Sequence, residues 1–191
     1  MKIKVGFWSV CTLLAFLFSN PLYALAAGLA ATLHELGHMG MARLCRISFR
    51  ELSITPFGAA LTPASFMGTY REEIAIASAG PLINLLSIAL FFSLIQYRFF
   101  FFFLISSLFF ALINLLPVSG FDGGRMLQCL LSQHISASLS ERILSVFSFL
   151  IIFSLWSFSV YLLLRIGSSL SLFVFSCSLF LKLFVNPQKT F

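Results

Sequence analysis

His34-Glu35-Leu36-Gly37-His38 is the stretch that decides how this chain is read. Two imidazoles and a carboxylate stand in a run built mostly of Ala, Gly, Leu and Met. In a helix, residues four apart share a face, so His34 and His38 can hold one metal ion between them. Glu35 adjoins the first of them and can take a proton from an attacking water. This is the H-E-x-x-H arrangement of zinc hydrolases. The run is apolar, and ionisable groups at membrane depth are costly to keep without a function.

The rest of the composition agrees with a membrane setting. The chain has 191 residues, of which 60% are hydrophobic and 9% charged, and its mean hydropathy is +1.03. A soluble domain carries about 25% charged residues. We therefore read an all-α polytopic membrane protein, a single transmembrane domain over 1–191. Its length accommodates about six spans of about 20 residues. They are expected near 5–19, 22–44, 72–96, 99–116, 142–164 and 168–184. Ala24-Leu25-Ala26 also has the form of a signal-peptide cleavage triplet, but processing there would cut the helix that carries the histidines.

The net charge of +6 is not a nucleic-acid footprint, because the basic residues lie between apolar runs and form no stripe. They read as topology determinants. With the N-terminus in the cytoplasm, Lys2, Lys4, Arg43, Arg46, Arg50, Arg71, Arg125, Arg142, Lys182 and Lys189 fall inside, and only Arg98 and Arg165 fall outside. Both termini, and the half of the second span bearing His34 and His38, are then cytoplasmic. Cys11, Cys45, Cys129 and Cys177 are widely spaced and read as small buried hydrophobes. Between Arg46 and Thr62, Ile47-Ser48-Phe49 and Leu52-Ser53-Ile54-Thr55 alternate in polarity ahead of Pro56-Phe57-Gly58. That pattern fits a short membrane-associated β-hairpin or an interfacial loop.

Zinc catalysis needs a third protein ligand and an open position. Glu51, Glu72, Glu73 and Glu141 sit near expected membrane boundaries. Asp122 is the sole aspartate and follows Pro117 and Gly120, which let the chain turn back after the fourth span. It is the leading candidate. His134, in a polar segment, is the other. Asn84, four residues after Gly80-Pro81, is a polar side chain inside the third span. It reads as an interhelical hydrogen bond or as a group that positions substrate or supports the metal site. Asn114, near a helix end, carries the same ambiguity. A zinc or proton transporter could use similar ligands, but the chain has no internal repeat and its polar groups gather at one depth.

His34-Glu35-Leu36-Gly37-His38, Gly80-Pro81-Leu82-Ile83-Asn84 and Asn114-Leu115-Leu116-Pro117 with Asp122-Gly123-Gly124-Arg125 occur in this order. Together they resemble the site-2 protease family of intramembrane zinc metalloproteases, over a catalytic core of about 22–128. The short interval between motifs, with no PDZ insertion, resembles the stage IV sporulation protein FB group within it. No C-terminal CBS domain follows, unlike many of that group. The resemblance implies a three-helix core and one Zn2+ per chain held by His34, His38 and Asp122. It implies Glu35 as catalytic base, and Asn84 and Asn114 as groups that hold substrate. The implied substrate is a transmembrane protein cut within the bilayer of a bacterial cell membrane, with a product released to the cytoplasm.

Overall fold

The computed structural model describes the backbone of residues 2–5, 20–47, 49–55, 58–63, 69–166 and 170–185. Six α-helices lie among the described residues: α1 (Pro21–Leu44), α2 (Tyr70–Phe91), α3 (Arg98–Asn114), α4 (Asp122–Ser132), α5 (Ala137–Ile166) and α6 (Leu170–Val185). Three strands accompany them, β1 (Lys2–Val5), β2 (Phe49–Thr55) and β3 (Gly58–Pro63). The expected first span, 5–19, lies outside the described residues save for Val5, which closes β1. The chain divides into two compact units, Met1–Leu115 and Leu116–Phe191.

In the first unit, α1 starts where the sequence supplies a cap. The Asn20 side chain accepts from Tyr23 N–H at 3.3 Å, and Pro21 follows at the first helical position. The helix ends with Arg46 at φ 57°, and Ile47 N–H reaches back to the Ala42 carbonyl at 2.9 Å. That is a left-handed closure without the usual glycine. α2 opens on a reciprocal box: Thr69 N–H donates to the Glu72 carboxylate at 2.7 Å, and Glu72 N–H to Thr69 Oγ1 at 3.4 Å. The acid of that pair caps backbone.

Helices α1, α2 and α3 each contact the other two. Small residues set the closest approach. A Cβ added to Gly37 of α1 would lie 2.7 Å from the Ala79 carbonyl oxygen of α2. Ala26 and Ala30 of α1 pack with Phe103 and Leu104 of α3, flanked by Leu33, Ile88, Phe91 and Phe110. Lipid tails are as apolar as these side chains, so the contact rests on close van der Waals packing more than on escape from water. The phenylalanine run thereby divides, with Phe103 buried and Phe101 exposed.

The strands form one sheet of order β1-β2-β3. β2 and β3 pair antiparallel with Thr55 opposite Gly58, and β1 lies parallel to β2 with Lys2 opposite Glu51. The strand at Lys2–Val5 was not expected from the sequence, because an isolated basic tetrapeptide carries no turn signal of its own.

The second unit holds α4, α5 and α6. Ser119 N–H donates to Ser148 Oγ at 2.7 Å, tying the loop before α4 to α5. Ser132 and Ser140 hydroxyls pair at 2.8 Å between α4 and α5, and Ser159 and Ser176 at 2.9 Å between α5 and α6.

Among the described residues, two stretches are long and apolar enough to cross a bilayer, Tyr70–Leu94 and Ala137–Arg165. Those ranges enclose two of the six expected spans, 72–96 only as far as residue 94. α1 has 24 residues, but alanine, glycine and the site residues dilute its apolar content. α3 is a shorter apolar helix of 17 residues, and α6 has 16. The fifth helix begins at Ala137, ahead of the expected 142.

Candidate active site

Both histidines of α1 face α2. His34 and His38 are buried, and their Nε2 atoms stand 3.2 Å apart. Two ligands on a tetrahedral zinc at bond lengths of about 2.0–2.1 Å are separated by roughly 3.3–3.4 Å. The pair therefore fits a single ion. His38 Nδ1 lies 2.7 Å from the Ile76 carbonyl oxygen. A carbonyl only accepts, so Nδ1 carries the proton and Nε2 presents its lone pair. His34 Nδ1 lies 3.3 Å from the Asn84 amide nitrogen. Phe110 of α3 stands beside His34 with ring centroids 6.4 Å apart.

The face of α2 explains the pairing. Ile76, Gly80 and Asn84 recur every four residues and so form one stripe. Ile76 takes His38, Asn84 takes His34, and Gly80 leaves room between them. A Cβ on Gly80 would run into His38 Nε2 and lie 2.9 Å from His34 Cε1. What packs against Gly80 is the histidine pair. The Ile76 carbonyl was missed, because a main-chain acceptor leaves no mark in the residue type.

Glu35 is half-buried on α1, next to His34. Asn84 is fully buried. Asn114 donates to the Phe110 carbonyl of its own helix at 3.1 Å. In the second unit, Asp122 is buried at the first position of α4. The loop before it is closed by Phe121 N–H donating to the Val118 carbonyl at 3.0 Å, with Gly120 at φ 89°. Positive φ at that position of a turn favours glycine. Gly124 completes the fit, since a Cβ there would strike the Val118 carbonyl oxygen. His134 is exposed after α4. His34 and His38 in the first unit supply two imidazole nitrogens, and Asp122 in the second supplies a carboxylate oxygen, each a ligand type that zinc takes.

A histidine pair of this bite, oriented from the next helix and with a glutamate directly after its first member, defines a metallopeptidase type of site. Comparison with known proteins agrees. Residues 22–99 and 94–158 match the profile of peptidase family M50, and the chain belongs to that family. Membership implies a membrane-embedded metalloprotease of the zinc type. The fold is similar to that of a site-2 protease from Methanocaldococcus jannaschii, with a TM-score of 0.71 and 18% identity over 100% of this chain and 94% of that one. No curated protein matches the chain.

Proposed function

We propose that this protein is an intramembrane zinc endopeptidase that cuts a transmembrane segment of another membrane protein near its cytoplasmic side. The observation that carries the reading is the 3.2 Å approach of two Nε2 atoms in a family M50 chain. His34, His38 and Asp122 are the residues proposed to hold one zinc ion. Zinc bound there supplies Lewis-acid polarisation of the scissile carbonyl and activation of water. Glu35 takes the proton from the attacking water and returns it to the leaving amine. Asn114 is proposed to hold the substrate backbone. The short interval between motifs supports a place beside the stage IV sporulation protein FB group.

The substrate's chemistry follows from the bilayer. A transmembrane helix satisfies its own backbone groups, so a carbonyl becomes available only where the helix opens. Substrates with Gly, Pro or Asn near the cytoplasmic boundary are therefore preferred. A multi-pass topology with cytoplasmic termini is supported by the ten-to-two division of basic residues. Purified protein in detergent, loaded with zinc, is expected to cut a candidate substrate. Glu35→Gln is expected to keep the metal and lose cleavage by about 10²-fold or more, the usual scale of a general base. Cleavage by that variant at the wild-type rate would remove Glu35 from the mechanism.

A further inference from the structure

Helix α5 runs for 30 residues, and its first half buries one stripe. From 137 to 150 the buried residues are Ser140, Leu144 and Ser148, one every four. In a helix that spacing is one face. Glu141, Ser145, Phe147 and Phe149 beside them are exposed. Two of the three buried positions are thus hydroxyls, and a buried hydroxyl is costly unless it bonds. Both bond toward α4. Ser132, the last residue of α4, pairs with Ser140 at 2.8 Å. Ser148 Oγ accepts from Ser119 N–H at 2.7 Å and donates to the Leu144 carbonyl at 2.7 Å. The first bond fastens the end of α4. The second fastens the turn before it, three residues ahead of Asp122.

From Ser119 to Asp122 each step is constrained. Phe121 N–H closes the turn on the Val118 carbonyl at 3.0 Å, and Arg125 N–H returns to the Phe121 carbonyl at 3.1 Å as α4 begins. Gly120 takes a φ of 89°, and Gly124 offers bare backbone to the Val118 carbonyl. The loop and the first turn of α4 therefore move as one piece. These bonds are internal to that piece; the bond from Ser119 to Ser148 ties it to α5.

We propose that Ser148 is a positioning residue for Asp122. By holding Ser119 N–H it fixes the piece that carries the carboxylate, and so sets where Asp122 presents an oxygen. The group that fixes this ligand then lies on α5, beyond the core of about 22–128 that carries the motifs. The inference rests on the reading of Asp122 as a zinc ligand given above. Metal sites hold their distances within about 0.2 Å, and a buried amide deprived of its acceptor pulls its loop toward another partner. Loss of the Ser148 hydroxyl therefore reaches the metal through the backbone.

The full-length protein in detergent, with the metal alone as probe, tests it. Ser148→Ala is expected to bind zinc about 10-fold more weakly than wild type, the low end of the range for groups that orient a ligand. With cobalt(II) in place of zinc, its visible bands are expected to shift and weaken, since ligand geometry around the ion sets them. Ser159→Ala is the control. Ser159 is as fully buried as Ser148 on the same helix, and its removal is expected to leave affinity and spectrum as in wild type. Wild-type affinity and spectrum in Ser148→Ala would overturn the proposal. So would equal losses in the two variants, which would make the effect a general loosening of α5.

A third measurement needs no variant. Coupling is reciprocal, so zinc must strengthen the Ser119–Ser148 bond by the factor with which that bond strengthens zinc binding. Hydrogen exchange at the Ser119 amide is therefore expected to slow by about 10-fold when zinc is added. An unchanged rate would overturn the proposal even if Ser148→Ala failed to fold. Asp122→Asn separates the two levels: it is expected to lose zinc affinity, and wild-type binding by it would overturn the ligand reading beneath the proposal.

Discussion

Adding one methyl group at position 80 should weaken metal binding without changing any ligand residue. A Cβ on Gly80 would coincide with the space of His38 Nε2, and would lie 2.6 Å from His38 Cε1 and 2.9 Å from His34 Cε1. Ordinary carbon contacts are about 3.5–4.0 Å, so each ring must retreat by roughly 1 Å. His38 cannot do so without stretching its 2.7 Å bond to Ile76, and metal–ligand distances tolerate only about 0.2 Å. Overpacking of this kind costs about 1–3 kcal/mol. If the strain is concentrated in the metal-bound form, zinc affinity falls by roughly 5- to 150-fold. The assay is zinc competition on purified Gly80→Ala, with cleavage of a model substrate in parallel. Gly28→Ala and Gly40→Ala are matched controls on α1, since nothing lies within 4 Å of an added Cβ at either position. Gly80→Ala binding zinc as tightly as those controls would refute the packing argument.

Two further outcomes follow from the helix ends and the helix contacts. Thr69→Ala removes the side-chain half of the cap on α2 and is expected to cost about 1 kcal/mol, read as earlier thermal unfolding in detergent with unchanged zinc affinity. Ser159→Ala breaks the 2.9 Å hydroxyl pair with Ser176. Interhelical bonds of this type average about 0.6 kcal/mol in membranes, so a small shift in unfolding midpoint is expected, and a change in catalytic rate is not.

The chemistry of the site was more legible in the sequence than its architecture. His34, Glu35 and His38 declare themselves because ionisable groups are scarce in this chain. Asn20-Pro21 announces the start of α1 through ordinary capping. The end of α1 is silent, because an arginine occupies the left-handed position where glycine would have signalled a stop. The break between α4 and α5 is silent too: Gln133 to Ser136 contains neither Gly nor Pro. The partnership of Asn84 with His34 joins residues 50 apart in sequence. Spacing along one helix can place 76, 80 and 84 on a stripe, but only packing reveals which stripe of α1 they meet. Six spans were expected, but α3 and α6, with 17 and 16 residues, fall below the about 20 that cross a bilayer unaided.

The central claim is a single metal ion held by His34, His38 and Asp122. A zinc-loaded crystal examined by anomalous scattering above and below the zinc edge tests it directly. The account predicts one peak, bonded to His34 Nε2, His38 Nε2 and an Asp122 carboxylate oxygen. A peak on His134 or Glu51, or on the Nδ1 atoms of the histidine pair, would contradict it.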